Sequence, residues 1–314
     1  MGLTRRSAFF GAVAAAGCAH QTASATEGRV AVIGGSVVWR RFGDGPRTPL
    51  LVVHGGPGAP SDYLEPLGAL GDERAVYVWD QLGCGRSDRP SDASLWTIER
   101  FVDEMARVRT ALGLRRVHVL GQSWGTMLTV DYLLRRGEAG VKSVVLAGPI
   151  MSARRYIEDT RRMLGELSAE QQAAVAEAER TGDFASPAYK AATEAFYALH
   201  IARAPTAVTG PLLERAFGGL GEESYVAMNG PSEFSILGSL KTYEREAELG
   251  RIRTPLLYLS GEFDTCTPDA ARQYAAQTPG ARVEVVAGAA HLTTIDAPDA
   301  TNAIVRAFLR EHDG

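Results

Sequence analysis

The sequence predicts an α/β fold: a mostly parallel sheet with helices on both faces, interrupted by a helical insertion. Two observations lead to this prediction. Short apolar runs rich in branched residues alternate with amphipathic stretches of helical period over most of the chain. A segment of roughly a hundred residues then shows helical patterns only, which is far too long for an ordinary connection inside an α/β unit.

The first elements are two strands and a helix. Residues 50–53 and 75–79 are apolar runs typical of buried strands. From Ile98 to Leu112, apolar residues recur at helical spacing. Thr97 is the predicted N-cap of this helix, and Gly113 comes just after its end.

A strand, a helix and another strand follow in close succession. The apolar run at residues 117–120 predicts a strand, residues 127–135 a helix, and residues 143–147 the next strand. Strands that alternate with helices in this way pair in parallel, with the helices covering both faces of the sheet.

The strand pattern stops at about residue 150 and returns after about residue 250. Within this segment, Ser168 and Gln171 have the spacing of a capping box, and residues 188–200 and 212–217 have helical patterns. We therefore predict a helical insertion over the carboxyl edge of the sheet. We call residues 150–250 the cap and assign residues 26–149 and 251–314 to the core.

The predicted core ends with two strands and a helix. Residues 256–259 and 282–286 are the strands, and residues 298–311 form the helix. Pro298 stands in the first turn of that helix, where the missing N–H is not needed.

Composition argues against several classes of function. The 314-residue chain carries a net charge of −4, so it has no basic surplus for nucleic acid. No apolar run reaches the roughly 18 residues needed to span a membrane. No cysteine or histidine cluster has zinc-ligand spacing, so we expect no metal site. We expect no cofactor either. Whether Cys84 and Cys266 form a disulfide is open, as is the oligomeric state.

Residues 1–25 are predicted to be an export signal. Arg5 and Arg6 precede a short apolar stretch, which resembles a twin-arginine signal. Residues 23–25 read Ala-Ser-Ala, which fits cleavage before Thr26. Residues 15–18 resemble a lipoprotein box, which would instead attach a lipid anchor to Cys18. A signal of either kind predicts a periplasmic or other extracytoplasmic location, against the alternative of an alanine-rich tail on a cytoplasmic protein.

The strongest functional motif is Gly-Gln-Ser-Trp-Gly at residues 121–125, between a predicted strand and a predicted helix. This context is typical of the nucleophile elbow of the α/β-hydrolase fold, in which a sharp turn presents a serine hydroxyl above the sheet. Ser123 is therefore the predicted nucleophile.

Serine needs a base, and in this fold the order along the chain is serine, acid, histidine. His291 follows the last predicted strand and is the expected base. Asp264, after the strand at 256–259, is the expected acid, with Glu262 as its rival. His118 and His200 are the weaker alternatives for a functional histidine: the first lies within a strand and the second in the cap.

A glycine-rich loop, His-Gly-Gly-Pro-Gly at residues 54–58, follows the first buried strand. Glycines let the backbone approach a substrate, and backbone N–H groups can stabilise an oxyanion. Gly56 and Trp124 are the expected oxyanion donors, and Gly55 is expected to contact substrate. The loop lacks the glycine spacing of dinucleotide-binding motifs and the Gly-Lys-Ser/Thr of phosphate-binding loops.

These motifs together resemble the proline iminopeptidase family. The resemblance rests on segments 54–58, 80–87 (Asp-Gln-Leu-Gly-Cys-Gly-Arg-Ser) and 121–125, and continues through Asp264 and His291. It implies a serine hydrolase that releases an N-terminal amino acid, preferably proline, from short peptides or amino-acid amides through an acyl-enzyme.

The resemblance also implies how the substrate amine is held. Residues 228–234 (Met-Asn-Gly-Pro-Ser-Glu-Phe) match a cap segment of the family in which a carboxylate binds the α-ammonium, which assigns that role to Glu233. Members of the family have a second acidic residue directly after the triad aspartate, where this chain has Thr265. This departure leaves room for an amide or ester substrate.

Two alternatives to an aminopeptidase remain at this stage. A carboxylesterase or a general amino-acid amidase would use the same three residues. A catalytically silent ligand-binding homologue would belong to another class, although every catalytic position is filled. A dehalogenase or epoxide hydrolase is disfavoured, because those enzymes carry aspartate at the elbow instead of Ser123.

Overall fold

The computed structural model describes residues 26–314, and the predicted export signal, with Cys18, lies outside them. Seven strands form one sheet in the spatial order β1-β2-β4-β5-β6-β7, with β3 paired to β2. The strands are β1 (Thr26–Val32), β2 (Gly35–Val53), β3 (Arg74–Asp80), β4 (Val117–Gln122), β5 (Val141–Ala147), β6 (Leu256–Gly261) and β7 (Arg282–Val286).

The sheet is mostly parallel, as predicted. The pairs β2–β4, β4–β5, β5–β6 and β6–β7 are parallel, and β1–β2 and β2–β3 are antiparallel. The long strand β2 is bent around β3: Val76 pairs with both Phe42 and Leu50. Of β2, only residues 50–53 were predicted from the sequence. Its first half and β1 form a half-exposed hairpin that lacks a continuous apolar run.

Ten α-helices accompany the sheet within residues 26–314. They are α1 (Ile98–Ala111), α2 (Trp124–Arg136), α3 (Ala153–Leu164), α4 (Ala169–Thr181), α5 (Pro187–His200), α6 (Gly210–Gly218), α7 (Glu222–Met228), α8 (Pro268–Gln277), α9 (Thr293–Asp296) and α10 (Pro298–Glu311). Short 3₁₀ helices lie at Ser61–Asp72, Ala93–Leu95, Ser239–Thr242 and Glu246–Arg251.

Both predicted helix caps are confirmed. The Thr97 side chain accepts a hydrogen bond from the Arg100 N–H at the start of α1. Ser168 and Gln171 form a full capping box at the start of α4. Each cap satisfies backbone donors that a helix N-terminus leaves without partners, and so fixes where the helix begins.

Alternate residues of the strands enter two apolar layers, one on each face of the sheet. Leu51 and Val119 contribute to one layer, and Leu50, Val52 and Leu120 to the other. Helices α3–α7 all lie between β5 and β6 in sequence. Part of this segment has an apolar cluster of its own, made by Met163, Leu164, Leu167, Val175, Ala178, Tyr189, Ala192, Phe196 and Phe234. Among the described residues, no helix is long and apolar enough to cross a bilayer.

Candidate active site

Ser123 occupies the sharp turn between β4 and α2. Its backbone has φ 55° and ψ −121°, and it is the one non-glycine residue with positive φ within residues 26–314. Such a conformation costs on the order of 1–3 kcal/mol and persists only where the surroundings hold it. Here the Ser123 N–H donates to the Ala147 carbonyl at 2.8 Å, at the end of the neighbouring strand β5.

The two glycines of the elbow allow α2 to pass close to the sheet. A Cβ on Gly121 would lie 2.3 Å from the Gly125 carbonyl oxygen, and a Cβ on Gly125 would lie 2.2 Å from the Val53 carbonyl oxygen. Both distances are far below van der Waals contact. Backbone packing therefore requires both glycines of the Gly-x-Ser-x-Gly pattern here.

His291 and Asp264 form a buried pair at the same edge of the sheet. His291 Nδ1 lies 2.7 Å from Asp264 Oδ1, which also accepts the Cys266 N–H at 2.7 Å. Burial alone would lower the pKa of His291. The charge and hydrogen bond of Asp264, with the charge of Glu233, outweigh burial, and the pKa is raised. The Asp264 carboxylate thus stabilises the imidazolium form that a general base passes through.

The rival acid points elsewhere. Glu262 is exposed, and its Oε2 accepts the Gly288 N–H at 2.8 Å. The fold therefore brings Asp264, and not Glu262, against His291.

The second ring nitrogen of His291 faces Gln122. His291 Nε2 lies 3.2 Å from Gln122 Nε2, and no hydrogen bond joins it to Ser123 Oγ among the described residues. Ser123, Gln122 and His291 nevertheless line one cavity. Catalytic hydrogen bonds are often long or poorly aligned before substrate binds, so Ser123 and His291 are still available to act as nucleophile and base.

The expected oxyanion donors come from the glycine-rich loop and from the residue directly after Ser123. Gly56 lines the cavity, and the N–H groups of Gly56 and Trp124 have no hydrogen-bond acceptor within residues 26–314. Free backbone donors beside a nucleophile are what an oxyanion requires. Gly55 differs: it is buried, and its N–H donates to the Tyr63 hydroxyl at 2.7 Å.

The segments 54–58 and 80–87 brace one another beneath the cavity. His54 Nε2 accepts the Gln81 N–H at 2.8 Å, and the ring Nδ1 lies 2.8 Å from the Gly55 carbonyl oxygen. Gln81 Oε1 accepts the Trp124 indole N–H at 3.0 Å. Burial lowers the pKa of His54, which keeps the ring neutral. The histidine of the glycine-rich loop therefore fixes the loop and stays out of the cavity.

The cavity has a volume of about 380 Å³ and combines the elbow with the cap. It is lined by Gly56, Ala59, Tyr63, Gln122, Ser123, Thr193, Tyr197, Ile201, Leu213, Ala216, Phe217, Leu220, Glu222, Tyr225, Val226, Pro231, Glu233, His291 and Leu292. No arginine or lysine is among these residues, although two carboxylates are. The cavity therefore favours a ligand that carries positive charge.

Glu233 is held in this cavity by tyrosine hydroxyls. Its Oε1 accepts from Tyr225 at 2.7 Å and its Oε2 from Tyr156 at 3.1 Å, while its N–H donates to the Tyr197 hydroxyl at 3.2 Å. Burial, and then the charge of Glu233, raises the pKa of Tyr156 and Tyr225 well above the ordinary value. Phe234 is fully buried in the cap cluster and anchors the segment.

Thr265 and Cys266 lie beside Asp264, and Cys84 is buried in a different segment. Thr265 is buried, with its Oγ1 3.5 Å from Asp264 Oδ1, and it is not among the residues that line the cavity. Cys84 and Cys266 are free and buried, so they do not pair.

The fold does bring ligand atoms of Asp264, Cys266 and His291 within 4.8 Å of one another, which the sequence spacing did not suggest. A metal bound there would compete with the Asp264–His291 hydrogen bond.

The two weaker histidine candidates are buried outside the cavity. His118 contacts Ser143 Oγ at 2.8 Å and Asp313 at 3.1 Å. His200, at the end of α5, contacts the Phe263 carbonyl oxygen through Nδ1 at 3.1 Å. Its own carbonyl accepts the His291 N–H at 3.1 Å, and the next carbonyl, that of Ile201, accepts the Leu292 N–H at 2.9 Å. The cap thus supports the segment that carries His291.

Several residues at the site were not found from the sequence. Tyr63, Tyr156 and Tyr225 come from three separate segments and carry no motif. Gly148 could have been recognised from the sequence, because it directly follows strand β5, which pairs with the strand before the elbow. It has φ 59°, and a Cβ there would lie 2.7 Å from His291 Cε1. Only glycine at this position leaves room for the imidazole.

Comparison with known proteins identifies relatives of the same fold. The family model of the alpha/beta hydrolase fold matches residues 48–298. The chain is 39% identical over 285 residues to a proline iminopeptidase of Heyndrickxia coagulans, covering 90% of this chain and 98% of that protein. The crystal structure of the proline iminopeptidase of Mycobacterium smegmatis has a TM-score of 0.81 at 32% identity and covers 92% of this chain and 99% of that one.

A second solved structure, that of VinJ, has a TM-score of 0.85 at 27% identity and covers 91% of this chain and 99% of that one. The family model, the sequence relatives and the solved structures therefore agree over nearly the same residues. The chain belongs to the α/β-hydrolases and, among them, to the proline iminopeptidase family.

Proposed function

We propose that this protein is a serine hydrolase that releases an N-terminal amino acid, preferably proline, from short peptides or amino-acid amides. The observation that carries the proposal is that Ser123, His291 and Glu233 line one cavity, so that a nucleophile, a base and an amine-binding carboxylate face the same substrate. Its relatives named proline iminopeptidase support the same substrate class.

In the proposed reaction, Ser123 Oγ attacks the carbonyl carbon of the first residue while His291 Nε2 takes the hydroxyl proton. Asp264 holds the imidazole by Nδ1 and stabilises the imidazolium. The N–H groups of Gly56 and Trp124 stabilise the oxyanion. His291 then gives its proton to the leaving amine, and water hydrolyses the acyl-enzyme by the same steps.

Glu233 is proposed to bind the free α-ammonium. An ammonium group that leaves water needs a negative partner, and Glu233 is held in the cavity with tyrosine hydroxyls as its hydrogen-bond partners. A substrate with a blocked N-terminus has no charge to offer this carboxylate. The proposal therefore predicts an exopeptidase.

Glu233→Gln tests this role. The variant should lose about 10- to 100-fold in kcat/KM on prolyl and alanyl arylamides, the range expected for a lost hydrogen bond to a charged group. It should lose little on p-nitrophenyl esters that lack an amine. Glu222→Gln is the matched control, because Glu222 lines the same cavity but is exposed. Equal losses by Glu233→Gln on both substrate classes would show that Glu233 does not bind the ammonium.

A general amino-acid amidase or a carboxylesterase is the second candidate. Thr265 favours it, because the family's second acidic residue is missing there and a single carboxylate is left at that end of the site. A panel of aminoacyl arylamides, prolinamide and short esters, compared by kcat/KM, separates the candidates. Preference for prolyl arylamides and Pro-X dipeptides supports the peptidase, and a faster reaction of simple esters would contradict it.

We also propose export, with residues 1–25 as the signal. The support is the arginine pair followed by a short apolar stretch, with a cleavage motif before Thr26. Mass spectrometry of protein from a fractionated native host should find a chain that starts at Thr26 or carries a lipid on Cys18. Intact Met1 on protein from the cytoplasmic fraction would contradict export.

A further inference from the structure

A chain of three contacts links the glycine-rich loop to the second nitrogen of His291. The Gly55 N–H donates to the Tyr63 hydroxyl at 2.7 Å. The Tyr63 hydroxyl lies 2.6 Å from Gln122 Oε1, and Gln122 Nε2 lies 3.2 Å from His291 Nε2. All four residues are buried, and three of them, Tyr63, Gln122 and His291, also line the cavity.

Two backbone groups, the Gly55 N–H and the His291 carbonyl, fix the directions of the hydrogen bonds in this chain. A backbone N–H can only donate, so the Tyr63 oxygen accepts from Gly55. Gln122 Nε2 also lies 3.4 Å from the His291 carbonyl oxygen, which can only accept, so the amide nitrogen faces His291 and the amide oxygen faces Tyr63. The Tyr63 hydroxyl therefore donates its proton to Gln122 Oε1. An amide N–H can only donate, so His291 Nε2 must carry a lone pair.

The remaining ring proton of His291 consequently sits on Nδ1, where it donates to Asp264. This is the tautomer that a serine hydrolase needs, because Nε2 must be free to accept the Ser123 proton. Asp264 alone favours a proton on Nδ1 but leaves the state of Nε2 unspecified. The contact from Gln122 specifies it.

We propose that Tyr63 and Gln122 are positioning residues that keep His291 Nε2 unprotonated until the Ser123 hydroxyl takes the place of the Gln122 amide. The proposal rests on the proposed function of Ser123 and His291 as nucleophile and base. Neither Tyr63 nor Gln122 takes part in bond making. Burial raises the pKa of the Tyr63 hydroxyl, so it remains a neutral donor.

An N–H that faces Nε2 opposes protonation at that atom, since two donors then point at each other. Other groups that act on His291 favour its charged form: Asp264 by contact and Glu233 by its charge. The Cys266 thiol lies nearby and is neutral, because burial raises its pKa. Burial of His291 and the Gln122 amide thus act together to hold the resting base in its reactive state.

Direct observation of the His291 ring nitrogens tests the proposal. In the full chain labelled with ¹⁵N-histidine, NMR distinguishes protonated from bare ring nitrogens, and loss of a signal in His291→Asn assigns it. Wild type should show Nδ1 protonated and Nε2 bare at neutral pH. On lowering the pH, Nε2 should become protonated with a midpoint that depends on Gln122.

The variants have a predicted order. Gln122→Met removes the donor, so Nε2 should become protonated at higher pH than in wild type. Gln122→Glu places an anionic acceptor there, so the midpoint should move further in the same direction. Tyr63→Phe should resemble Gln122→Met, because the amide loses the partner that orients it. In each variant, kcat/KM should therefore decrease at a higher pH than in wild type as the pH is lowered. The ratio of variant to wild-type kcat/KM should be about 3- to 10-fold lower at acidic pH than at neutral pH.

The controls remove comparable buried groups elsewhere. Gln81→Met deletes a buried amide that contacts Trp124 and the His54 carbonyl but not His291. Tyr258→Phe deletes a buried hydroxyl that contacts Thr278. Both should leave the His291 midpoint at its wild-type value, even if they lower stability.

An unchanged His291 midpoint and tautomer in Gln122→Met, Gln122→Glu and Tyr63→Phe would overturn the proposal. So would loss of activity by the same factor at every pH, because that pattern indicates a purely structural role. Failure of the proposed function looks different: wild type would not turn over prolyl arylamides, while the NMR midpoints could still be read and compared.

Discussion

At Ser123, the strained backbone and the hydroxyl are separate properties of one residue. Alanine keeps the Cβ and therefore the backbone constraint, but it removes the nucleophile. We expect Ser123→Ala to lower kcat by at least about 10³-fold with an unchanged melting temperature. Ser94→Ala, at an exposed serine, is the control and should keep full activity. Activity near wild type in Ser123→Ala would show that another residue performs the attack.

The residues that could be predicted from the sequence are those fixed by their order relative to the strands. Ser123, Asp264 and His291 each follow a predicted strand, and parallel strands bring those positions to one edge. Tyr63 and Tyr156 could not be predicted, because their contacts with Gln122 and Glu233 join segments 59 and 77 residues apart. No local pattern encodes such a contact.

Among the elements, the apolar strands and the capped helices were predictable, and the β1–β2 hairpin was not. Strand β6, for example, is buried along its whole length and begins with a continuous apolar run at residues 256–259. In β1 and the first half of β2, exposed and half-buried residues interrupt the pattern. Their strand state depends on pairing with each other and with β3, which becomes visible only in three dimensions.

The α6–α7 connection is fastened to the core at several points. Arg215 on α6 contacts Asp62 Oδ1 at 3.2 Å and Glu65 Oε2 at 3.0 Å. The Gly85 N–H donates to the Gly219 carbonyl at 3.0 Å, and the Gly221 N–H donates to the Gly58 carbonyl at 2.8 Å. Gly58 belongs to the loop that supplies the expected oxyanion donor, so this part of the cap is tied to the site itself.

We expect Arg215→Ala to raise KM several-fold while kcat changes less, because Phe217 and Leu220 beside it line the cavity. The effect on stability should be small, about 0–1 kcal/mol, since the Arg215 side chain is 48% exposed. Salt should raise the KM of wild type more than that of the variant. The control is Arg154→Ala, whose exposed partner Glu158 is remote from the cavity lining. Equal salt sensitivity of both enzymes would contradict the expectation.

For the molecule as a whole, the tail after α10 closes the end of the sheet opposite the elbow. Asp313 contacts Arg74, whose side chain is fully buried, at 2.8 Å, and also contacts Arg47 and His118. Burial would raise the pKa of Asp313, but the hydrogen bonds from Arg74, His118 and Arg47 outweigh it and lower the pKa to about 2. Its charge therefore persists well below neutral pH.

We expect Asp313→Ala to lower the free energy of unfolding by about 2–3 kcal/mol, because it leaves the buried guanidinium of Arg74 with Glu73 as its remaining carboxylate. The difference from wild type should be full above the ordinary aspartate pKa and should be lost as the pH falls through about 2. Urea unfolding across that range measures it. Glu311→Ala removes an exposed ion pair nearby and should cost at most about 1 kcal/mol. A similar cost for both would refute the argument.

The hydrogen bonds that the His291 and Leu292 N–H groups donate to the carbonyls of residues 200 and 201 bear on any attempt to re-engineer this enzyme. Exchanging residues 150–250 for those of another hydrolase would change more than the shape of the substrate cavity. The new cap would also determine the position of His291 relative to Ser123. An inactive chimera therefore shows a poor fit between substrate and cavity only if the hydrogen bonds to the carbonyls of residues 200 and 201 are still formed. The cap therefore affects both the choice of substrate and the rate of the reaction, and an exchanged cap would change both together.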